Sequence, residues 1–428
     1  MRETVRLSLR LIKMSLTPYE LQLAVLKELK ATGADKWTLS REAGKLKELR
    51  SSSKNSKRKR ECSSPEFGET SSLAVYEKHF RKVPCDDDGF VASFDIKLLE
   101  SRSTGVECSK AVLKFFHDYG FAVFRNVLTI QECEQTQCEI WQYLESSALG
   151  FERDNPDTYH HLSSQTYGLA PVPAVFSQQV VRNRCNPNVL RSFQLLLHDD
   201  DLLVSHDRWC AYRPTRDVKI NGLLCDVPSW KTTQNLHLDL NPWTYFDDSS
   251  ALDDVKYEHL RDFSKEINSV THSSGPNVQG VLALNDNKVD DGGTVLLAGF
   301  QNCFDQWTKT IGTMSASMRS RDKRVGHLVW RGKGAGSYKF SDVDPIHDLK
   351  QRITMRAGSL LIWDQRVVHG SNHNDSSNFR LAQFVKAFRR SSMGETRLNY
   401  RSKRVRAELE QHNSALGFSA NERRVLGM

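Results

Sequence analysis

The chain has 428 residues, 39% of them hydrophobic and 9% aromatic, so it holds enough apolar side chains to bury a large core. It contains no run of eighteen apolar residues, which argues against a membrane-spanning helix. The net charge is +8, and the nine cysteines include no Cys-x-x-Cys pair. This cysteine usage argues against a disulfide scaffold or a zinc ribbon and favours a reducing, intracellular compartment.

Residues 1–50 are predicted to form a helical hairpin. The sequence from Thr17 to Glu20 has an N-cap, a proline at the first helical position and a capping-box glutamate, and the helix that begins there should end at Gly33. A second amphipathic piece covers roughly Ser40 to Arg50. The hairpin resembles the RNA-binding helix-turn-helix appended to some aminoacyl-tRNA synthetases, and an ordinary amphipathic hairpin is the alternative.

Residues 51–72 are rich in Ser, Lys and Arg and are predicted to be a disordered linker. The dense basic block from Lys54 to Arg60 is typical of a solvated tail, a nuclear-import signal or a nucleic-acid-binding segment. Residues 1–15 hold four basic side chains and one acidic one, a composition also found in mitochondrial transit peptides. We therefore expect a cytoplasmic or nuclear protein, with a mitochondrial location as the alternative.

Residues 73–428 are predicted to form one large domain of mixed elements. A helix should end at Gly120, and Thr129 begins a capping box that opens a helix to about Leu144. A further helix and six strands follow from apolar patterning: a helix from Val189 to Leu197 and strands from Phe121 to Phe124, Leu202 to Tyr212, Gln279 to Asn285, Thr294 to Leu297, Gly358 to Trp363 and Phe379 to Phe388.

Two long insertions are predicted between these strands. The first, from Thr244 to Pro276, is acidic at its start and is predicted to be partly helical. The second, from Gln301 to Gln351, is mixed and contains a basic stretch. That stretch is typical of a solvated face, and the alternative is a surface that attracts an anionic substrate.

A candidate metal site lies in the sequence from Asn235 to Trp243. In an extended strand, His237 and Asp239 would share one face while the leucines between and beside them point to the core. The same His-x-Asp spacing occurs at His198 and His373. His198 follows a run of leucines at the end of a predicted helix, and the only histidine after His373 is the distant His412.

His369 follows a predicted strand and would complete a group of two histidines and one carboxylate, the donor set of many non-haem Fe(II) sites. Arg380 comes eleven residues later and begins a strand beside Ala382 and Phe384. An arginine at such a position usually faces solvent. If it points inward instead, its buried guanidinium needs an anionic partner, and a carboxylate is the natural match.

These residues resemble the phytanoyl-CoA dioxygenase-like branch of the Fe(II)/2-oxoglutarate-dependent oxygenases, whose pattern is His-x-Asp, a distal His and an Arg about eleven residues further. The resemblance extends from about Ala111 to Arg390. It implies a mixed α/β fold with a mainly β core, a double-stranded β-helix (jelly roll) with flanking helices. The site residues it implies are the Fe(II) ligands His237, Asp239 and His369, the 2-oxoglutarate-binding residues Arg380 and Ser371, and Trp243 at the pocket wall.

The resemblance implies hydroxylation of a small-molecule or anionic substrate, with O2 consumed and succinate and CO2 released. Asp239 favours hydroxylation over halogenation, because halogenating relatives lack the carboxylate. From Gly292 to Phe300 the chain departs from the family's Pro-Gly-Ser-His pattern, so the substrate is not carried over. The alternatives are a nucleic-acid-associated binding protein with a silent barrel, which would use the basic N-terminal segment, and a metal-dependent hydrolase.

Overall fold

The computed structural model describes residues 76–101, 103–148, 150–162, 175–232, 235–240, 242, 256–257, 270–271, 278–310, 327–330, 336–341, 344–413 and 417–428. All of them belong to the compact unit Ser71–Met428. Within these residues the fold is mixed α/β with substantial sheet content. None of the described helices has the length and apolarity needed to cross a membrane.

The described strands are, in chain order, β1 (Phe94–Asp95), β2 (Phe121–Arg125), β3 (Leu202–Val204), β4 (Trp209–Tyr212), β5 (Val218–Ile220), β6 (Leu223–Cys225), β7 (Asn235–Leu238), β8 (Lys256–Tyr257), β9 (Val270–Thr271), β10 (Val278–Ala283), β11 (Gly293–Leu296), β12 (His327–Trp330), β13 (Gly336–Lys339), β14 (Gln351–Arg352), β15 (Leu360–Asp364), β16 (His369–Asn372), β17 (Arg380–Val385) and β18 (Ala387–Arg389). The described α-helices are α1 (Gly105–Tyr119), α2 (Ile130–Ser147), α3 (Gln178–Cys185), α4 (Pro187–Leu197), α5 (Phe304–Thr310), α6 (Glu395–Asn413) and α7 (Ala420–Leu426).

Most of the described strands belong to two six-stranded sheets. The first has the order β1-β2-β15-β10-β17-β4, and the second has the order β12-β13-β7-β16-β11-β14. Along the chain the strands cross repeatedly between them: β4, β10, β15 and β17 lie in the first sheet, and β7, β11, β14 and β16 lie in the second. The pairing of β1 with β2 is parallel, and the other pairings within these two sheets are antiparallel.

The two sheets share a buried apolar cluster. Val281 of β10 and Leu361 of β15 contribute to it from the first sheet, and Leu296 of β11 contributes from the second. On its other face the first sheet packs against helices, with Ile140 of α2 and Phe193 of α4 in the same fully buried core. The space between the sheets is therefore the place where inward-facing side chains from both can meet.

Several predicted elements are confirmed. Helix α1 ends at Tyr119, directly before Gly120. Helix α2 begins with the predicted capping box, in which Thr129 and Glu132 bond reciprocally, and helix α4 ends at Leu197 as predicted. The eight described cysteines are free thiols, as the cysteine spacing indicates.

Two predicted strands are in fact broken. The segment from Leu202 to Tyr212 forms β3 and β4, and the segment from Phe379 to Phe388 forms β17 and β18. The breaks face each other, because Ser205 N donates to Lys386 O at 2.8 Å and Lys386 N donates to Ser205 Oγ at 3.1 Å. On one side of the breaks, β4 and β17 pair in the first six-stranded sheet. On the other side, β3 and β18 pair in a separate two-stranded sheet. Neither break contains a glycine or a proline, so neither is indicated by local sequence.

Other predictions fall wholly or partly outside the described residues. These include the helical hairpin of residues 1–50, the linker 51–72 with its basic block from Lys54 to Arg60, and Trp243. In the first insertion, from Thr244 to Pro276, the described residues form the strand pair β8 and β9, where a partly helical segment was predicted. The described parts of the second insertion contain α5, β12 and β13.

The packing of the first sheet against the helices predicts a large stability cost for truncating Leu282, which lies in β10 and is fully buried. Leu282→Ala should lower the free energy of unfolding by about 2–5 kcal/mol through lost burial and a cavity. The matched control Leu223→Ala, at a side chain that is 69% exposed, should change it by less than about 0.5 kcal/mol. Urea unfolding measures both, and equal effects would contradict the packing described.

Candidate metal centre

The pairing of β16 with β7 brings the two predicted histidines together. These strands are antiparallel, and His369 stands directly opposite His237. Leu236, Leu238 and Leu240 are each at most 1% exposed, as the alternating pattern predicts. Their burial leaves the opposite face of this segment to His237 and Asp239.

His237, Asp239 and His369 each offer one donor atom, and these atoms all lie within 4.8 Å of one another. His237 Nε2 is 3.6 Å from Asp239 Oδ1, and His369 Nε2 is 3.7 Å from Asp239 Oδ2. Ligands that each sit about 2.1 Å from one ion lie about 3–4 Å apart, so these separations suit a shared metal ion. The structure thus brings together the three predicted metal ligands.

Contacts from β15 and from the loop between β15 and β16 orient this group. His369 Nδ1 lies 3.0 Å from Val367 O, so a proton on Nδ1 is donated to that carbonyl and Nε2 keeps its lone pair. Trp363 packs beside the imidazole of His369, with 5.3 Å between ring centroids. Gln365 Nε2 donates to the backbone oxygen of Asp239 at 3.1 Å. These contacts therefore fix the ring of His369 and the backbone of Asp239.

The surroundings of Asp239 favour its ionised form. Burial alone would raise the pKa of this carboxyl group, but the neighbouring His369, His237 and Lys386 hold that pKa well below its ordinary value. Lys386 Nζ lies 3.9 Å from Asp239 Oδ2. An ionised carboxylate is the form that binds a metal ion.

Gly370 allows β16 to approach β7 closely. A Cβ at this position would lie 1.6 Å from the backbone oxygen of Asn235, which is far inside contact distance. Because Gly370 separates His369 from Ser371 in β16, any side chain here would push the strand that carries both away from β7.

Arg380 points into the protein and is 3% exposed. Its Nη1 lies 3.5 Å from Cys210 Sγ, and its Cζ lies 5.0 Å from the centroid of the Tyr212 ring. Among the described residues no carboxylate lies within ion-pair distance of it. Gly293, at φ +109°, leaves room for this side chain, because a Cβ there would lie 2.4 Å from Arg380 Nε. Arg380 therefore points inward, away from the solvent-facing orientation that is usual for an arginine at the start of a strand.

Two further polar groups, Arg352 and Ser371, lie near Arg380. Burial and the charge of Arg380 lower the pKa of Arg352 to about 9, and the Arg352 guanidinium donates to the backbone oxygens of Thr294 and Gly292. Ser371 Oγ is buried and has no hydrogen-bond partner among the described residues. Ser371 pairs with Thr294, which is next to Gly293 in β11. A buried hydroxyl without a partner is costly, so a ligand that accepts from it is favoured here.

The competing His-x-Asp sequences lie elsewhere. His198 is the left-handed residue that ends α4, and His373 Nε2 pairs with Asp375 at 2.6 Å outside the three-residue group. The sequence interpretation missed Gly370, Gly293 and Lys386. Period-two spacing from Arg380 could have indicated Lys386, because residues 380, 382, 384 and 386 share one strand face. The close approaches at Gly370 and Gly293 leave no such periodic pattern in the sequence.

Sequence similarity to known proteins covers much of this chain. The family model described as phytanoyl-CoA dioxygenase (PhyH) matches residues 268–382. A Dictyostelium discoideum protein named as a phytanoyl-CoA dioxygenase is 31% identical over 359 residues, which cover 80% of this chain and 95% of that protein. The Ava biosynthesis cluster protein O of Aspergillus versicolor is 22% identical over 286 residues, 63% of this chain and 74% of that protein.

Among solved structures, HygX from Streptomyces hygroscopicus with nickel and 2-oxoglutarate bound is similar over 66% of this chain and 87% of that chain. The sequence identity is 14% and the TM-score is 0.39.

The close approach at Gly370 predicts that Gly370→Ala separates β16 from β7. It should cost about 1–3 kcal/mol of stability and weaken Mn(II) binding, measured by calorimetric titration of the purified protein. Gly394→Ala is the matched control, because a Cβ at Gly394 meets nothing within 4 Å. Wild-type Mn(II) affinity in Gly370→Ala would show that the strand spacing does not set the metal site.

Proposed function

The chain belongs to the phytanoyl-CoA dioxygenase family, and from that premise we propose that it hydroxylates an organic substrate, consuming O2 and releasing succinate and CO2. The cofactors are Fe(II) and 2-oxoglutarate, with O2 as the second cosubstrate. The observation that carries the proposal is the meeting of the donor atoms of His237, Asp239 and His369 within 4.8 Å.

We assign His237, Asp239 and His369 as the metal ligands. Two neutral imidazoles and one carboxylate on a single face are the donor set of non-haem Fe(II) sites, and they leave positions open for 2-oxoglutarate and O2. When bound, Fe(II) and 2-oxoglutarate supply the oxidative chemistry that places one oxygen atom of O2 on the substrate. The contact from Val367 O to His369 supports this assignment, because it leaves Nε2 available as the donor.

We assign Arg380 and Ser371 to the distal carboxylate of 2-oxoglutarate. Arg380 is buried without a protein carboxylate among the described residues, and an ionised guanidinium in such a place gains most from a bidentate carboxylate. The hydroxyl of Ser371 is buried and unpartnered, so it can donate to the same group. Gly293 leaves the room that this arrangement needs. Trp243, the remaining residue implied by the resemblance, stays a prediction.

Apolar side chains cover the His369 side of this centre. Trp363 and Val367 are at most 5% exposed, and they lie beside His369 in space and in sequence. Leu296 of β11 pairs with His369 from the other side and is fully buried. Apolar walls of this kind strengthen the electrostatic interactions of the ligand group and hold it in one geometry.

We further propose that the two six-stranded sheets form a double-stranded β-helix. Support comes from the eight strands that cross between the sheets, β4, β7, β10, β11, β14, β15, β16 and β17, and from the apolar cluster that the sheets share. In this arrangement the metal ligands come from β7, β16 and the residue after β7, and Arg380 comes from β17 of the facing sheet.

A metal-dependent hydrolase could use the same three ligands with a bound water. It has no need for a dicarboxylate, so the buried Arg380 and the unpartnered Ser371 hydroxyl favour the dioxygenase. Oxygen dependence separates the two, because hydrolysis proceeds equally well under argon.

The function is tested by succinate release from 2-oxoglutarate in aerobic protein reconstituted with Fe(II). His237→Ala should reduce the rate by at least about 100-fold, because it removes a metal ligand. His373→Ala is the matched control, since His373 has the same His-x-Asp spacing but pairs with Asp375, and it should keep the wild-type rate. No succinate from the wild type, or equal losses in both variants, would exclude the proposed function.

The assignment of Arg380 predicts a specific loss of 2-oxoglutarate affinity. Arg380→Lys removes the bidentate contact and should raise the Kd for 2-oxoglutarate at least about tenfold, and Ser371→Ala should raise it about two- to tenfold. Mn(II) affinity should stay unchanged in both variants. The control Arg356→Lys alters an arginine paired with Asp86 and Asp88 at the surface. An unchanged Kd in Arg380→Lys would remove Arg380 from the site.

A further inference from the structure

Trp363 brings to the metal centre a hydrogen-bond donor that the dioxygenase assignment does not use. Its side chain is 5% exposed and packs beside the metal ligand His369, with 5.3 Å between ring centroids. The indole nitrogen Nε1 is buried and has no hydrogen-bond partner among the described residues. Because an indole nitrogen can only donate, any group that pairs with it must be an acceptor.

The strand that carries Trp363 directs it between the sheets. Trp363 lies in β15 of the first sheet and belongs, with Val281 and Leu361, to the apolar cluster that the two sheets share. His369 lies in β16 of the second sheet. The indole therefore reaches the ligand group from the opposite side of the space between the sheets.

A second polar side chain stands next to the indole. Gln279 of β10 pairs directly with Trp363 across antiparallel strands, so the two side chains share one face of the sheet. Gln279 is 3% exposed, and its amide offers both donors and an acceptor. The two residues together present polar atoms within a largely apolar wall.

This pair lies at the end of the sheet opposite to Arg380. Ala283 of β10 pairs with Ala382, which is two residues from Arg380, and Gln279 lies four residues before Ala283 along β10. Six residues of extended chain, at about 3.3 Å each, span roughly 20 Å. A molecule that extends from the metal to Arg380 therefore leads away from Trp363.

We propose that the indole N–H of Trp363 donates to an oxygen atom of the primary substrate, which is held at the metal on the side away from 2-oxoglutarate. This inference rests on the proposed function and names a chemical feature of the substrate for the same site: a carbonyl, hydroxyl or carboxylate oxygen close to the carbon that reacts. A substrate that is only hydrocarbon at this position would leave the N–H buried without an acceptor, which is costly. When the oxygen is a hydroxyl, its own proton has the amide oxygen of Gln279 as an acceptor.

The test uses the full chain with ¹⁵N-labelled tryptophan, loaded with Zn(II) in place of Fe(II), before and after addition of saturating 2-oxoglutarate; neither state turns over. Trp363→Phe keeps an aromatic ring and removes the N–H, so it identifies the indole NMR signal of Trp363. Trp363→Tyr serves the same purpose if the first variant folds poorly. Acetone and 2-propanol are the probes, and propane is the match with the same carbon skeleton and no oxygen. Metal and 2-oxoglutarate affinities are measured on the same samples.

Trp209 is the matched control, because it is 1% exposed and packs in the core on the helix side of the first sheet. Its signal is identified with Trp209→Phe. Replacing Zn(II) by Mn(II) should broaden the Trp363 signal far more than the Trp209 signal. Acetone or 2-propanol should move the Trp363 indole proton downfield and saturably, as a new hydrogen bond does, and should leave the Trp209 proton in place. Propane should cause no downfield shift.

A Trp363 signal that Mn(II) broadens no more than that of Trp209, or that moves with neither oxygen probe, would overturn the inference, while normal metal and 2-oxoglutarate binding leaves the proposed function standing. A downfield shift caused by 2-oxoglutarate alone, with none from the probes, would assign the N–H to the cosubstrate and also overturn it. Failure of the wild type to bind the metal and 2-oxoglutarate would instead remove the proposed function, and this inference with it.

Discussion

The antiparallel pairing of β16 with β7 is the constraint on which the site depends. It places His369 opposite His237, and a shift of one residue would turn one histidine to the opposite face of the sheet. Two features hold the register. The buried leucines of the β7 segment fix which side faces the core, and Gly370 allows the close approach to the backbone of Asn235. The metal centre is thus a product of strand register and strand spacing.

The second property of the site is buried positive charge. Arg380 is 3% exposed and Lys386 is 8% exposed, and burial together with the charge of Arg380 lowers the pKa of the partly buried Arg352 to about 9. Burying cations costs free energy unless anions accompany them. A divalent ion adds to that cost, so the chain needs anionic ligands to complete the centre. The proposed dicarboxylate at Arg380 follows from this requirement.

The sequence alone predicted the parts of the fold that local chemistry determines. The alternation around His237, the capping box at Thr129 and the helix end before Gly120 are each encoded within a few residues, and the structure contains them. The choice of His237 over His198 and His373 also followed from local context. The inward direction of Arg380 needed the structure, because an arginine at a strand start usually faces solvent.

The features missed by sequence reasoning are those set by long-range contact. The facing breaks at Ser205 and Lys386 arise because the two residues bond to each other across 181 positions of sequence. Without a glycine or proline nearby, nothing local indicated them. The need for Gly370 arises from a backbone oxygen on another strand, so it too is visible only once β16 lies beside β7.

The central claim is that His237, Asp239 and His369 hold one iron ion with 2-oxoglutarate extending to Arg380. Anomalous X-ray scattering at the iron edge, from crystals prepared under argon with Fe(II) and 2-oxoglutarate, measures this directly. The account predicts one strong iron peak bounded by those three side chains and density for a carboxylate at Arg380. An iron peak at His373 and Asp375, or no peak at the three-residue group, would contradict it.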